Sequence, residues 1–365
     1  MPLEGGHPTL LIDAQALAAN WRTMARMAPS AEVAAAVKAD CYGLGVDACV
    51  PHLVAAGARH FLVAHWLEVE DVARHVPPAR ISVLHGPVCA ADVAIARRTG
   101  ARPVINSLAQ AQRWVQAGGG PCDLMIDTGI NRLGLRPDEV RDPVVGQLDI
   151  EVLMSHLACA DEDSPRNAQQ QSLFTALLSA VAHRRASLAN SAGVALGASY
   201  HLDVVRPGLA LYGGVPRREL AGRIAPVATL AAPLVQRRRV RQGEGVGYNG
   251  TFAAPRDMDI GIVSLGYADG LLRVWGGSGA LHFDGRELAM VGRISMDMLA
   301  VDLTCAPDAR EGDLLTLAHD VPAAAHATGL SQYEVLTTLG RRMPRRTVRG
   351  SGCTAGPAGA NAAQQ

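Results

Sequence analysis

The chain has 365 residues, 48% of them hydrophobic, and its 34 basic and 34 acidic side chains cancel to a formal net charge of zero. That length allows a large core and two domains, and the composition excludes a disordered or collagen-like chain. Charge balance removes the electrostatic ground for a nucleic-acid or anionic-membrane partner, and no apolar run has the length of a membrane span. The N-terminal stretch MPLEGGHPTLLIDAQ lacks a signal-peptide pattern. Seven scattered cysteines with no Cys-x-x-Cys predict reduced thiols rather than a disulfide framework or a structural zinc site. The expectation is a soluble, cytoplasmic protein.

In chain order, VAAAVKA (33–39) predicts a strand and VDACVPHLVAAG (46–57) a helix, its apolar positions recurring at three and four residues. HFLVAH (60–65) and RISVLHG (80–86) read as strands, each followed by a helical pattern, LEVEDVARHV and AADVAIARRTG. RPVINS (102–107) leads into LAQAQRWVQAG, and CDLMIDTG (122–129) into a loop and PDEVRDPVVGQ. IEVLMSHLA (150–158) precedes a long helix within NAQQQSLFTALLSAVAHRR; ASLANSAG (186–193) and LDVVRPGLALYGG (202–214) complete the series. Such continuously apolar strands fit a parallel sheet covered on both faces. Roughly eight strand–helix units in about 210 residues match the size of a (β/α)8 barrel. An open doubly wound sheet is the alternative, disfavoured because no Gly-x-Gly-x-x-Gly turn follows the first strand.

From about residue 225 the runs become β-branched or alternating, divided by Gly and Asp turns, as in DMDIGIVSLGYADG and GALHFDGRELAMVGRISMDMLAVDL. The expected fold class is therefore α/β. A (β/α)8 TIM barrel spans 10–224 and a mainly β domain spans 225–350, with one helix near SQYEVLTTLGRR. Residues 1–9 can join the β domain, and the Gly-rich tail 351–365 predicts disorder.

Reactive groups in such a barrel lie where strands end and loops begin, at the C-terminal face. Lys38, Arg132, His156, Asn190 with Ser191, and Arg206 with Gly208 all fall there. Each has a plain structural reading. Lys38 can be a rim charge, His156 a core histidine, Arg132 a partner for Asp127, Arg206 a lock on the last strand, and Ser191 a turn hydroxyl. Their coincidence on one rim points to a site instead.

VKADCYGLG, DTGINRLGL, SHLACADE, LANSAG, VRPGLALYGG, VGYNGTF, SLGYADG and VGRISMD occur in that order. In them the chain resembles the alanine racemases, enzymes using pyridoxal 5′-phosphate (PLP), over almost its whole length. The resemblance implies a homodimer with shared sites that interconverts L- and D-alanine, with no metal. It implies that Lys38 carries the cofactor, and that Tyr42, Ser191 and the backbone of Gly208 and Leu209 hold its phosphate. Arg206 would bond the ring nitrogen, and His156 would link Arg206 to Tyr248. Lys38 and Tyr248, the latter from the second subunit, would be the two bases on opposite faces of the reacting carbon. Arg132 would steady the substrate carboxylate or the phenolic oxygen of PLP, and Tyr267, Met296 and Asp297 would be the second subunit's contribution to the substrate carboxylate pocket and its entrance.

Three departures stand out. Met125 occupies the place where several family members carry a carbamate-forming lysine. LGRRMPRRT has Met343 and no tyrosine where the family often sets one against the cofactor. Cys41 and Leu44 alter the lysine motif. The alternative within the fold is a racemase for serine or a broader amino-acid set. A decarboxylase conflicts with Arg206, and a non-catalytic PLP carrier conflicts with the β domain.

Overall fold

The computed structural model describes residues 6–276 and 279–350. The predicted tail 351–365 lies outside the described residues, as do residues 1–5.

The barrel strands are short and apolar because helices cover them outside and side chains fill them inside. They run Phe61–Val63, Ile81–Val83, Arg102–Ile105, Pro121–Met125, Asp149–Met154, Arg185–Ser187 and Val204–Val205, each pairing parallel with the next. The opening segment closes the ring. Its Glu32–Val33 half pairs with Val204–Val205 and its Ala35–Ala36 half pairs with Phe61–Leu62. Small side chains suit this seam, where Ala34, Ala35 and Ala36 are all buried. The open doubly wound alternative is excluded by that closure.

Covering helices start and stop on local signals. Ser107 caps Leu108–Gln116 by accepting from the Gln110 N–H, and Ala90–Thr99 ends on Gly100 in the left-handed region. Ala14–Met27 was not read from the sequence, although Asp13 caps it by accepting from Gln15 and Ala16.

The second domain is an eight-stranded sheet built around the long strand Ala228–Val240, which pairs antiparallel with Leu314–Ala318 and Met258–Val263. The strand Thr9–Asp13 belongs here, antiparallel to Ala228–Val240 and parallel to Arg345–Val348. A domain boundary at residue 10 therefore cuts through a strand of the β sheet. The pairing partners of TLLID lie at the far end of the sequence, where no local pattern reveals them. Where one helix was expected there are two, Val321–Thr328 and Gln332–Thr337. The second brings Leu336 against Gly43, and Arg345 donates to the Gly43 carbonyl at 2.8 Å. The β domain thus braces the turn that follows the first barrel strand.

Candidate active site

Lys38 lies two residues past the first barrel strand. Ala39, Asp40, Cys41 and Tyr42 all have φ between 53° and 56°, and Gly43 follows at 89°. Four non-glycine residues in the left-handed region cost about 1–2 kcal/mol each, so the turn must be held from outside. Glu68 supplies one clamp. One carboxylate oxygen accepts from Ala39 N, and the other accepts from Ala64 N at 2.7 Å and His65 N at 2.9 Å. Asp40 supplies another, accepting from Val46 N at 2.8 Å. Glycine is required at 43, because a Cβ there would lie 2.7 Å from the Leu336 carbonyl oxygen.

The result is an amine presented to a cavity of about 710 Å³ at the C-terminal mouth of the barrel. Burial, helped by the Arg132 charge and opposed by Glu68, lowers the Lys38 pKa from its ordinary value. Lowering favours the neutral, nucleophilic amine.

Across the cavity, Ser191 opens the short helix Ser191–Ala195. Its hydroxyl oxygen accepts from Gly208 N at 3.0 Å and Ala210 N at 3.1 Å, which leaves its one proton to be donated into the cavity. Leu209, first residue of the 3-10 turn Leu209–Tyr212, keeps the free N–H that such a turn leaves at its start. Tyr42 stacks on Tyr212 at 4.9 Å, and burial holds its phenol protonated, so it is a donor. Gly208 makes room for it: a Cβ there would collide with the Tyr42 hydroxyl. Hydroxyls and turn amides converging without a cation form a cradle suited to a phosphate dianion.

Arg206 follows the last barrel strand and is buried in the mouth. It donates to Ser187 Oγ and to the Ser155 carbonyl. Burial pulls its pKa down to about 10, opposed by Asp123, so it stays charged at neutral pH. His156 follows the Asp149–Met154 strand. Burial, with the charges of Arg206, Arg132 and Lys38, pushes its pKa down to about 3, so the imidazole is neutral.

Arg132 also lines the cavity. It does not pair with Asp127 through its guanidinium. That carboxylate is occupied by the backbone N–H groups of Gly129, Ile130 and Arg132 itself, at 2.8, 3.0 and 2.9 Å. Met125, which lines the same cavity, offers it no charge, so the balancing anion must come from elsewhere; Asp161 is a carboxylate in the lining.

One lining residue escaped the sequence reading. LGRRMPRRT has no tyrosine, but Tyr333, on the preceding helix, enters the cavity with its ring 6.2 Å from that of Tyr42. The capping box of Ser331 and Glu334 marks where that helix begins. It was a usable signal for which face Tyr333 occupies.

The remaining predicted residues do not reach this cavity in their own chain. Tyr248 is 61% exposed on the turn Tyr248–Gly250 of the β domain. Tyr267 lies under the Arg273 guanidinium at 5.2 Å, and Asp297 pairs with Arg342 at 2.7 Å. These residues share one patch, since Tyr267 N donates to Ser295 O at 3.1 Å and Gly292 packs against the Val246 carbonyl. Met296, Met298 and Val274 are exposed in the same region. The fold thus makes two groups of candidate residues, a buried rim and an exposed patch.

Comparison with known proteins bears on both groups. Residues 12–216 match the alanine racemase N-terminal domain and residues 227–347 the alanine racemase C-terminal domain. The alanine racemase of Acidiphilium cryptum is 42% identical over 94% of this chain and 99% of its own length. Among solved structures, alanine racemase from Bartonella henselae with covalently bound pyridoxal phosphate is similar at TM-score 0.85 and 31% identity, covering 94% of this chain and 100% of that one. The biosynthetic alanine racemase from Pseudomonas aeruginosa is similar at TM-score 0.83 and 35% identity, covering 94% and 100%.

Proposed function

The chain belongs to the alanine racemase family, and we propose that it interconverts L- and D-alanine with Lys38 of one copy and Tyr248 of a second copy as the two bases. It is a PLP-dependent isomerase. The residues present suit that cofactor: the Gly208 cradle, the free Ser191 proton and the Lys38 amine of lowered pKa all match it. Lys38 would carry its aldehyde carbon. Ser191, Tyr42, Gly208 and Leu209 would hold its phosphate, and Arg206 its ring nitrogen. When bound, PLP withdraws electrons from the substrate α-carbon and so acidifies its hydrogen.

Lys38 exchanges a proton with one face of the α-carbon, because burial lowers its pKa and so favours the neutral amine that can accept a proton. The opposite face needs a second acid–base group. Tyr248 fits. It is exposed, sits between glycines that let its turn project, and lies in a patch of exposed apolar side chains suited to burial against another subunit. A free phenol titrates near 10. Neutral His156 can donate to the phenolate oxygen while accepting from Arg206, which stabilises the deprotonated form. Arg206, which keeps its protons, would leave a ring nitrogen bonded to it unprotonated and so would moderate electron withdrawal. Arg132 would hold the substrate carboxylate, with Tyr267, Met296 and Asp297 of the second copy at the entrance. Asp297 arrives already paired with Arg342, which offsets its repulsion of that carboxylate.

The exposure of Tyr248 in a chain whose Lys38 cavity is otherwise assembled is the observation that carries the two-copy reading. Among the described residues no helix is long and apolar enough to cross a membrane. A cytoplasmic location is part of the proposal, supported by the scattered cysteines. The reaction is tested with purified protein, PLP and L-alanine or L-serine in D₂O. Deuterium should enter the α-position of alanine as optical rotation decays. Rapid exchange of serine with none of alanine would overturn the substrate assignment.

A further inference from the structure

The helix Pro165–Leu178 covers the barrel with an unusual inward face, burying Asn167, Gln170 and Phe174. A helix in this place ordinarily turns an apolar stripe inward. Burying carboxamides costs free energy unless each polar atom finds a partner. Gln170, only 3% exposed, finds one for each. Its Nε2 donates to the His156 carbonyl at 3.1 Å and to Thr128 Oγ1 at 3.3 Å, and its Oε1 accepts from Ala158 N at 2.8 Å.

Those partners are not scattered. Thr128 opens the loop that carries Arg132, and His156 and Ala158 belong to the loop after the Asp149–Met154 strand. Thr128 Oγ1 lies 2.8 Å from Ser155 Oγ, and the Ser155 carbonyl accepts from Arg206. A single carboxamide therefore ties together the segments bearing Arg132, His156 and Arg206. Next to it, Arg166 donates to the Gly129 carbonyl at 2.8 Å, and Asn167 donates to Cys159 and Glu162 carbonyls at 2.9 and 3.0 Å. The rest of the same two loops is thus held by other side chains. Gln170 alone among them grips His156.

We propose that Gln170 is a positioning residue for proton transfer, fixing His156 and, through Thr128 and Ser155, Arg206 in the geometry that supports the second base. The inference rests on the roles given above to His156 and Arg206. Gln170 does not line the cavity and acts only through these neighbours. Small displacements of such groups lower turnover steeply.

The test uses the PLP-loaded enzyme and the Gln170→Met variant, which keeps side-chain length but removes all three hydrogen bonds. Enantiomers have equal free energy, so kcat/KM must fall equally in both directions. A fault confined to the base on one face shows itself differently. With α-deuterated alanine, the isotope effect should rise in one direction and fall in the other. The account also predicts that kcat drops about ten- to a hundred-fold with a smaller change in KM and unchanged borohydride-fixed cofactor per chain. Faster amide exchange at Ala158, measured with and without PLP, should accompany it. Isotope effects unchanged in both directions would overturn the proposal, whether or not kcat falls. Thr128→Val, which removes only the shared hydroxyl, applies the same criterion if Gln170→Met does not fold. His156→Gln is run alongside. If it shifts the isotope effects and the Gln170 and Thr128 variants do not, Gln170 alone is misassigned. If it does not, the role of His156 fails.

Discussion

The barrel rim and the β-domain patch carry their candidate residues in opposite ways. At the rim three of the groups are fixed before any ligand arrives: Glu68 clamps the Lys38 turn, Ser191 receives two backbone amides, and Arg206 is held by Ser155 and Ser187. On the patch, Tyr248 and Met296 project outward, more than half exposed. The rim is built by the fold of one chain, while the patch is shaped for something opposite it. A change at the rim should therefore disturb folding and cofactor retention together. A change on the patch should leave the fold of the single chain intact and disturb chemistry or association instead.

The largest effect expected from this contrast is at Gly208. Gly208→Ala drives a Cβ into Tyr42, which cannot retreat because it stacks on Tyr212. Overpacking of this kind costs about 1–3 kcal/mol. Urea unfolding should show it, together with weaker retention of PLP; an unaltered midpoint would mean the rim is softer than its hydrogen bonds imply. A smaller, pH-dependent effect belongs to His156. Its folded pKa of about 3 lies below the 6.5 of an exposed histidine, so the unfolded chain takes up a proton that the folded chain refuses. Stability is then complete above about pH 6.5 and declines as pH falls towards 3. His156→Asn should remove about 1–2 kcal/mol of the loss between pH 7 and 5, read by urea titration at each pH. Smallest of all is the effect of Tyr248→Phe on stability, below about 0.5 kcal/mol. Its hydroxyl makes no hydrogen bond within the described chain, and a larger shift would break the contrast from the patch side.

Much of this division was legible in the residues. Apolar runs separated by helical patterns announced the barrel, and polar residues at the ends of those runs announced the rim. Illegible features share one cause, dependence on distant partners. Ala39, Asp40, Cys41 and Tyr42 carry no sequence mark of left-handed backbone. They adopt it because Glu68, Asp40 and the β domain hold the turn. Thr9–Asp13 reads as an ordinary run before a barrel, and only Ala228–Val240 and Arg345–Val348 make it a strand of the other domain. Tyr333 carries no mark of the cavity in its own segment, because its position depends on how Gln332–Thr337 docks against Tyr42. Gln170, in a run of three glutamines, looks like a solvated residue to any reading based on apolar periodicity.

The central claim is that each reaction centre is completed by two copies of the chain. Lys38→Ala and Tyr248→Phe chains, each inactive alone, are co-expressed with different tags and purified as mixed dimers. Each such dimer would hold one site with both bases and one with neither, so the rate should return to about half of wild type per dimer. Mixed dimers no more active than either parent would contradict the account.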